Sequence, residues 1–171
     1  MKKYCMLLLL LASVMLLSSC YGGSRMRIFD DSGMRADARL EQLLEILVNK
    51  DDAALKSMFS TQTLEMAANF DDSVEYLFEL FQGDVVSWEQ VGRASDARMR
   101  DGKRSVQVRA RFAVITDKDE YEFYLIDYLE DTINPDNVGL FVLQVVRTED
   151  RETQMTGYWT DLSPGIFMPG E

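Results

Sequence analysis

The feature that most limits what this chain can fold into is a single change of apolar period at Gly83. Before it, apolar residues recur at the 3.6-residue spacing of helices; after it, they alternate with the two-residue period of strands. Helices come first and strands later, with no return to helix between them. That order predicts an α+β fold, with N-terminal helices packed on an antiparallel sheet of about four strands, rather than an alternating α/β one.

The helical half is read from its stripes. Ala36, Leu40, Leu43, Leu44, Leu47 and Val48 predict a helix from Met34 to Lys50, capped by Asp30, Asp31 or Ser32. Asp51 or Asp52 caps a short helix bearing Leu55, Met58 and Phe59, and Ser60 caps another leading into Leu64, Ala67 and Ala68. Asp72 and Glu75 stand at capping-box spacing before the stripe Val74, Leu77, Phe78 and Phe81. Gly83 sits where a left-handed C-cap is wanted.

In the strand half, Val85 to Met99 predicts a first strand, irregular around Gly92. Asp101-Gly102 is a hairpin turn, because both positions tolerate positive φ. From Ser105 to Thr116, Val106, Val108, Ala110, Phe112 and Val114 face one way, and Gln107, Arg109, Arg111 and Ala113 the other. Asp117-Lys118-Asp119 turns into a third strand, Glu120 to Glu130, aromatic on both faces. The fourth, Val138 to Arg147, is apolar on both faces, which predicts a central or doubly covered position. The tail from Gly157 to Glu171, with Tyr158, Trp159, Leu162, Ile166, Phe167 and Met168, is too apolar to stay in water and is expected to pack back through a turn at Pro164-Gly165.

The front of the chain is an export signal. Lys2 and Lys3 precede an apolar run, Met6 to Leu17, whose helix would reach about 18 Å, short of the ~30 Å hydrocarbon core. Leu17-Ser18-Ser19-Cys20 then reads as a lipid-attachment box: small residues for the peptidase, and a Cys whose sulfur takes diacylglycerol. The expected organisation is 1–19 signal peptide, 20–33 lipidated Cys20 and a flexible Gly-Gly-Ser tether, and 34–171 a single α+β domain. The expected location is the outer side of the cell membrane, held by acyl chains on Cys20, with about 0.8 kcal/mol for each buried CH₂.

Composition removes whole classes of function. The 171 residues hold 18 Lys+Arg against 29 Asp+Glu, and loss of residues 1–19 takes Lys2 and Lys3 with it and leaves a net charge of −13. Such a surface repels phosphate backbones, so no nucleic-acid partner is expected. His is absent, and the two Cys are Cys5, lost with the signal, and Cys20. Disulfides, thiol nucleophiles, His-based triads and His-ligated zinc are therefore excluded from the mature fold. No cofactor is expected, since no phosphate-binding glycine loop or dinucleotide fingerprint occurs. No metal site is expected either: the Asp117, Asp119 and Glu120 cluster lacks EF-hand spacing.

Two patterns carry a resemblance. Residues 73–83, SVEYLFELFQG, and the ending Pro164-Gly165-Ile166-Phe167-Met168-Pro169 are similar to a family of uncharacterised bacterial lipoproteins, the domain of unknown function 5104 type. Phe167 departs from the Tyr of that family's ending. The resemblance covers residues 34–170 and brings no known activity. More broadly, the order of elements resembles the cone-shaped roll of nuclear transport factor 2-like, ketosteroid-isomerase-like and cystatin-like proteins. It implies helices over the concave face of a curved sheet, and dimers through the outer face.

Tyr121, Phe123, Leu125 and Asp127 share one strand face. If that face lines a cone, they form an apolar pocket for a small apolar or amphipathic ligand, and Asp127 would be a proton shuttle of raised pKa. The alternative is an Asp127 that is solvated or paired with an Arg. Arg109 and Arg111, with Tyr124 and Tyr128, lie on the other face in a composition favoured at interfaces, here a homodimer or a protein partner. The bland reading is a solvated sheet surface whose Arg stems cover aromatic rings. Three functions remain in view. The first is a membrane-anchored, non-catalytic ligand- or protein-binding module. The second is a small isomerase- or lyase-like enzyme using the pocket carboxylate. The third is a purely structural interaction protein.

Overall fold

The computed structural model describes residues 23–155 and 162–169 of the chain. The elements run α1 (Gly23–Asn49), α2 (Asp52–Met58), α3 (Thr61–Met66), α4 (Phe70–Leu80), β1 (Val85–Arg100), β2 (Lys103–Thr116), β3 (Glu120–Asp131), a 3-10 turn (Pro135–Asn137), β4 (Gly139–Arg147), a second 3-10 turn (Thr148–Asp150), α5 (Arg151–Gln154) and β5 (Gly165–Ile166). The chain divides into two compact units, 1–31 and 32–171. Of the first, the opening turns of α1 are described; apart from where α1 begins, everything below concerns the second. No helix among the described residues is long and apolar enough to cross a membrane.

The fold class is α+β, with helices followed by a curved, open sheet. The sheet has five strands in the order β1-β2-β3-β4-β5, one more than expected. β1 to β4 are antiparallel neighbours, and β5, taken from the tail, pairs parallel to β4 at Val142–Gly165 and Leu143–Ile166. The inner face carries the predicted row Val106, Val108, Ala110, Phe112 and Val114, joined by Tyr121, Phe123, Leu125, Leu140, Leu143 and Val145. Against it pack Leu40, Leu43, Leu47, Leu55, Leu77 and Phe81 from the helices, in one continuous core. Full burial of each such side chain contributes about 1.5–3 kcal/mol.

The start of α1 corrects the expectation. The helix begins at Gly23, so the segment read as a tether is helical from there on, and Asp30, Asp31 and Ser32 lie inside the helix rather than cap it. A cap acts only where the preceding chain leaves the helix, and Ser24–Phe29 holds no breaker. Val48 is exposed and Ile46 takes its place in the core. Asp51 caps α2 by accepting from Ala54 N at 2.9 Å, and Ser60 caps α3 by accepting from Thr63 N at 3.0 Å, both as predicted. On α3, Leu64 is exposed and Thr63 is the buried residue.

α4 starts at Phe70, from Asn69 in the left-handed region (φ +54), so Asp72 and Glu75 form no capping box. Phe70 is drawn in by its edge contact with Phe59, centroids 4.9 Å apart. The C-cap is Phe81, not Gly83. Gly83 does have φ +91, and a Cβ there would strike the Asp117 carboxylate, which accepts from Asp84 N at 2.8 Å. It is a glycine for the close approach of the β2–β3 turn.

Asp101 and Gly102 both have positive φ, 51° and 75°, as a two-residue hairpin of primed type demands. The irregularity predicted near Gly92 is a bulge at Val91, with a second at Val86. β4 is buried along nearly its whole length, between β3 and β5, and covered on its outer face by Met155 and Leu162. The predicted turn-back of the tail is seen at Gly165–Ile166, while Tyr158 and Trp159 lie outside the described residues.

Candidate functional site

On the inner face, Tyr121, Phe123, Leu125 and Asp127 stand together as predicted, but as packing rather than as a pocket wall. All four are buried. The Tyr121 hydroxyl donates to Leu80 O at 3.0 Å and accepts from Gln82 N at 2.9 Å, tying β3 to the end of α4. Burial, first, raises its pKa, against the Gln82 N–H that lowers it. The space beside Asp127 measures about 10 Å³ between Ala36, Arg39, Val108, Ala110, Leu125 and Leu129. That is the room of about one water molecule. Large side chains from both layers fill the space between helices and sheet around these residues.

Asp127 is 4 % exposed. Arg39 of α1 donates from Nε to Oδ2 at 2.8 Å, with its Nη2 3.5 Å from Oδ1. One turn earlier, Arg35 donates to Leu129 O at 2.9 Å. Of the two alternatives for this carboxylate, the arginine pair is the one present. A carboxylate so held is an anchor between α1 and β3.

The outer face holds the more open chemistry. Alternation along β2 and β3 brings Arg109, Arg111, Glu122, Tyr124, Ile126 and Tyr128 to this side, and Tyr124 stands opposite Arg111 in register. Glu122, which the sequence reading passed over, is the centre of the cluster. It is 6 % exposed and accepts from Arg111 Nη2 at 2.7 Å, while Arg151 Nη1 lies 2.8 Å from its other oxygen. Arg151 begins α5, which folds back over this face. Gln144 Nε2 donates to Gln154 O at 3.0 Å, and Met155 and Leu162 pack on Tyr124, Ile126 and Val142.

Tyr124, expected at an exposed interface, is thus 2 % exposed beneath the chain's own segment. Burial pushes its phenol up to about 12, against a smaller downward pull from Arg109. Tyr128 is half-buried, edge-on to Phe141 at 5.8 Å. The four residues predicted for the outer face therefore separate. Tyr124 and Tyr128 pack within the chain, and Arg109 and Arg111 stay accessible.

Beside these two arginines lies a recess of about 250 Å³, lined by Gly92, Arg93, Ala94, Arg109 and Arg111. Its floor is open because β1 offers only small side chains opposite the arginines: Gly92 pairs with Arg111 and Ala94 with Arg109. A Cβ at Gly92 would meet nothing within 4 Å. Arg93 points to the inner face, its guanidinium against Gly33 of α1. Arg109 Nε donates to Gln107 Oε1 at 3.1 Å, and no carboxylate pairs with Arg109 among the described residues. Arg111 spends one amino group on Glu122, and its buried Nε has no hydrogen-bond partner among the described residues. A second, open groove of about 510 Å³ between α2 and α4 is lined by charges of both signs, with Lys56 paired to Asp71, and favours no class of ligand. Cys20 lies outside the described residues.

A family model described as a domain of unknown function (DUF5104) matches residues 42–148. The match takes in β1 to β4 with both arginines of the recess, Glu122 and Asp127, and leaves β5, Arg39 and Arg151 outside it. No curated protein matches the chain.

Proposed function

The chain belongs to the DUF5104 family, and from that premise we propose that it is a lipid-anchored extracytoplasmic lipoprotein whose domain is a non-catalytic binding module. Its working surface is the recess on the outer sheet face, and its ligand is a small amphipathic molecule with a negative group. The observation that carries this reading is Arg109. In a chain with 29 acidic residues against 18 basic, its guanidinium lacks a carboxylate partner among the described residues and borders about 250 Å³ of open space. Arginine matches planar anions in two-point hydrogen bonding, and the Gly92–Ala94 floor leaves room for an apolar body. The lipid anchor rests on Leu17-Ser18-Ser19-Cys20 and the short apolar run before it.

The enzymatic alternative has less support, because Asp127 is engaged by Arg39 and faces space for about one water. Native mass spectrometry of residues 24–171, made without lipid, tests the binding. A retained anionic mass that disappears in Arg109→Gln and in Gly92→Leu supports the recess. A mass retained in both variants would move the site elsewhere, and a bare parent chain would count against a tight small ligand. For the anchor, metabolic labelling with a radioactive fatty acid should mark the parent chain and leave Cys20→Ser unmarked.

A further inference from the structure

We propose that the second half of β1, Gly92–Arg100, is a pairing edge for a second copy of this chain, joined antiparallel about a two-fold axis at Ala97. β1 is the outermost strand, and among the described residues its far side faces no other strand of the sheet. An exposed row of backbone donors and acceptors is a template for another strand unless something blunts it. The two halves of β1 differ in this respect. The first half is blunted by two bulges, at Val86 and Val91, where register with β2 is interrupted and both side chains stand exposed. From Gly92 the register runs unbroken to Arg100, opposite Lys103, with no bulge and no proline.

The hairpin fixes which groups point outward. Arg100 and Lys103 close a two-residue loop and exchange hydrogen bonds across it, so by alternation Ser95, Ala97 and Met99 direct their N–H and C=O to the free edge. A two-fold axis at Ala97 sets Ala97 against its own copy and Ser95 against Met99. On the outer face it sets Asp96 against Arg98 twice over. Those two side chains already meet within the strand, Arg98 Nη2 lying 3.1 Å from Asp96 Oδ2. In the pair they would form a ring of two acids and two bases. Shifting the axis to Asp96 would oppose two carboxylates, and shifting it to Arg98 would oppose two guanidiniums; both are destabilising. The segment is therefore self-complementary in one register. Met99, 75 % exposed, would be covered in the pair. The result is a sheet continuous across two molecules, in which Arg100 of each copy stands opposite Ala94 of the other, at the margin of the recess. This inference does not depend on what the recess binds.

The test uses the full chain in detergent micelles, with p-benzoylphenylalanine at position 99, a site open enough to accept it. Illumination should give a covalent dimer whose cross-linked peptide contains Ser95 of the other copy. In parallel, native mass spectrometry should show at least a tenfold weakening of the dimer for Arg98→Asp. The double variant Asp96→Arg with Arg98→Asp should restore it, because the swap recreates the same opposed charges. A cross-link that maps outside residues 92–100, the absence of any covalent dimer, or a double variant no better than the single one overturns the proposal.

Discussion

Glu122 is the residue on which the outer face turns. Its carboxylate is shared by Arg111 at 2.7 Å and Arg151 at 2.8 Å, and the two partners are unlike: the Arg111 side chain is 26 % exposed, that of Arg151 50 %. Removing the acid leaves Arg111 beside the sheet with one more unanswered donor, so Glu122→Gln should cost about 1–3 kcal/mol, at the lower end because water reaches both partners. Arg151→Gln, which removes the more solvated partner, should cost about 0–1 kcal/mol. Urea midpoints measure both; equal losses would mean that Arg111 contributes nothing. Tyr124 gives a second residue-level expectation, in pH. Its phenol is ordinary at 10.0 in the unfolded chain and raised to about 12 in the fold by burial. Below pH 10 it is neutral in both states and contributes no pH dependence. Between the two values the unfolded chain releases its proton first, so stability falls as pH rises, by about 2–3 kcal/mol in all. Tyr124→Phe should flatten that loss between pH 9 and 12 in urea titrations run beside the parent. The same slope in both chains would refute the assignment.

Among the elements, the entry to β4 is the most tightly specified. Gly139 has φ +126, and a Cβ there would sit 2.9 Å from Ser60 N and 3.0 Å from Met58 O. This close approach lets Ser60 N donate to Leu140 O at 3.1 Å and fixes the α2–α3 junction to the sheet. Gly139→Ala combines backbone strain with a collision against backbone, so a loss of about 2–4 kcal/mol is expected, with faster amide exchange at Ser60. An unchanged midpoint would mean that the junction yields freely. Elements of this kind divide into those a local pattern announces and those it does not. β2 was readable because its period of two persists from Val106 to Val114, and the hairpin because Asp101-Gly102 states its own φ requirement. The bulge near Gly92 was readable because glycine marks it. The start of α1 was misjudged, because Asp30–Ser32 has cap chemistry in a place where the chain never leaves the helix. Glu122 was missed for a different reason. Its period places it on an outer face, and its burial comes from Arg151–Met155, far along the chain, whose own sequence is mostly polar and carries no apolar stripe. The close packing of the inner sheet face was equally hidden, since Tyr121, Phe123 and Leu125 read alike as pocket wall and as packed core until Arg39 is known to meet Asp127.

At the scale of the whole molecule, the two sides of the sheet are finished in opposite ways. β1 ends the sheet with a 16-residue strand whose exposed half is charged, whereas β4, apolar on both faces, is sealed by the two residues of β5. The seal is parallel and short, yet it is well held. Phe167 N donates to Leu143 O at 2.9 Å, Ile166 is buried in the main core, and Gly165, at φ +111, lies so close to α3 that a Cβ would stand 2.9 Å from the Ala67 side chain. Its worth is the burial of Ile166, about 1.5–3 kcal/mol, with about 1 kcal/mol for the hydrogen bond to Leu143. Its larger effect lies in what it hides. Without it, the run from Leu140 to Val146 would present an unpaired edge of high β propensity, little charge and no proline, the composition that recruits strands from other molecules. A chain ending at Ser163 should therefore lose about 2.5–4 kcal/mol in urea unfolding and also scatter light at micromolar concentration, which the parent should not. Replacing Ile166 with Ala in the full-length chain separates the two effects, because it removes core volume while leaving the backbone seal in place. That variant should be destabilised by about 2–4 kcal/mol yet remain clear of aggregates. Light scattering from Ile166→Ala equal to that of the truncated chain would show that lost stability alone, and not the open edge of β4, drives the association.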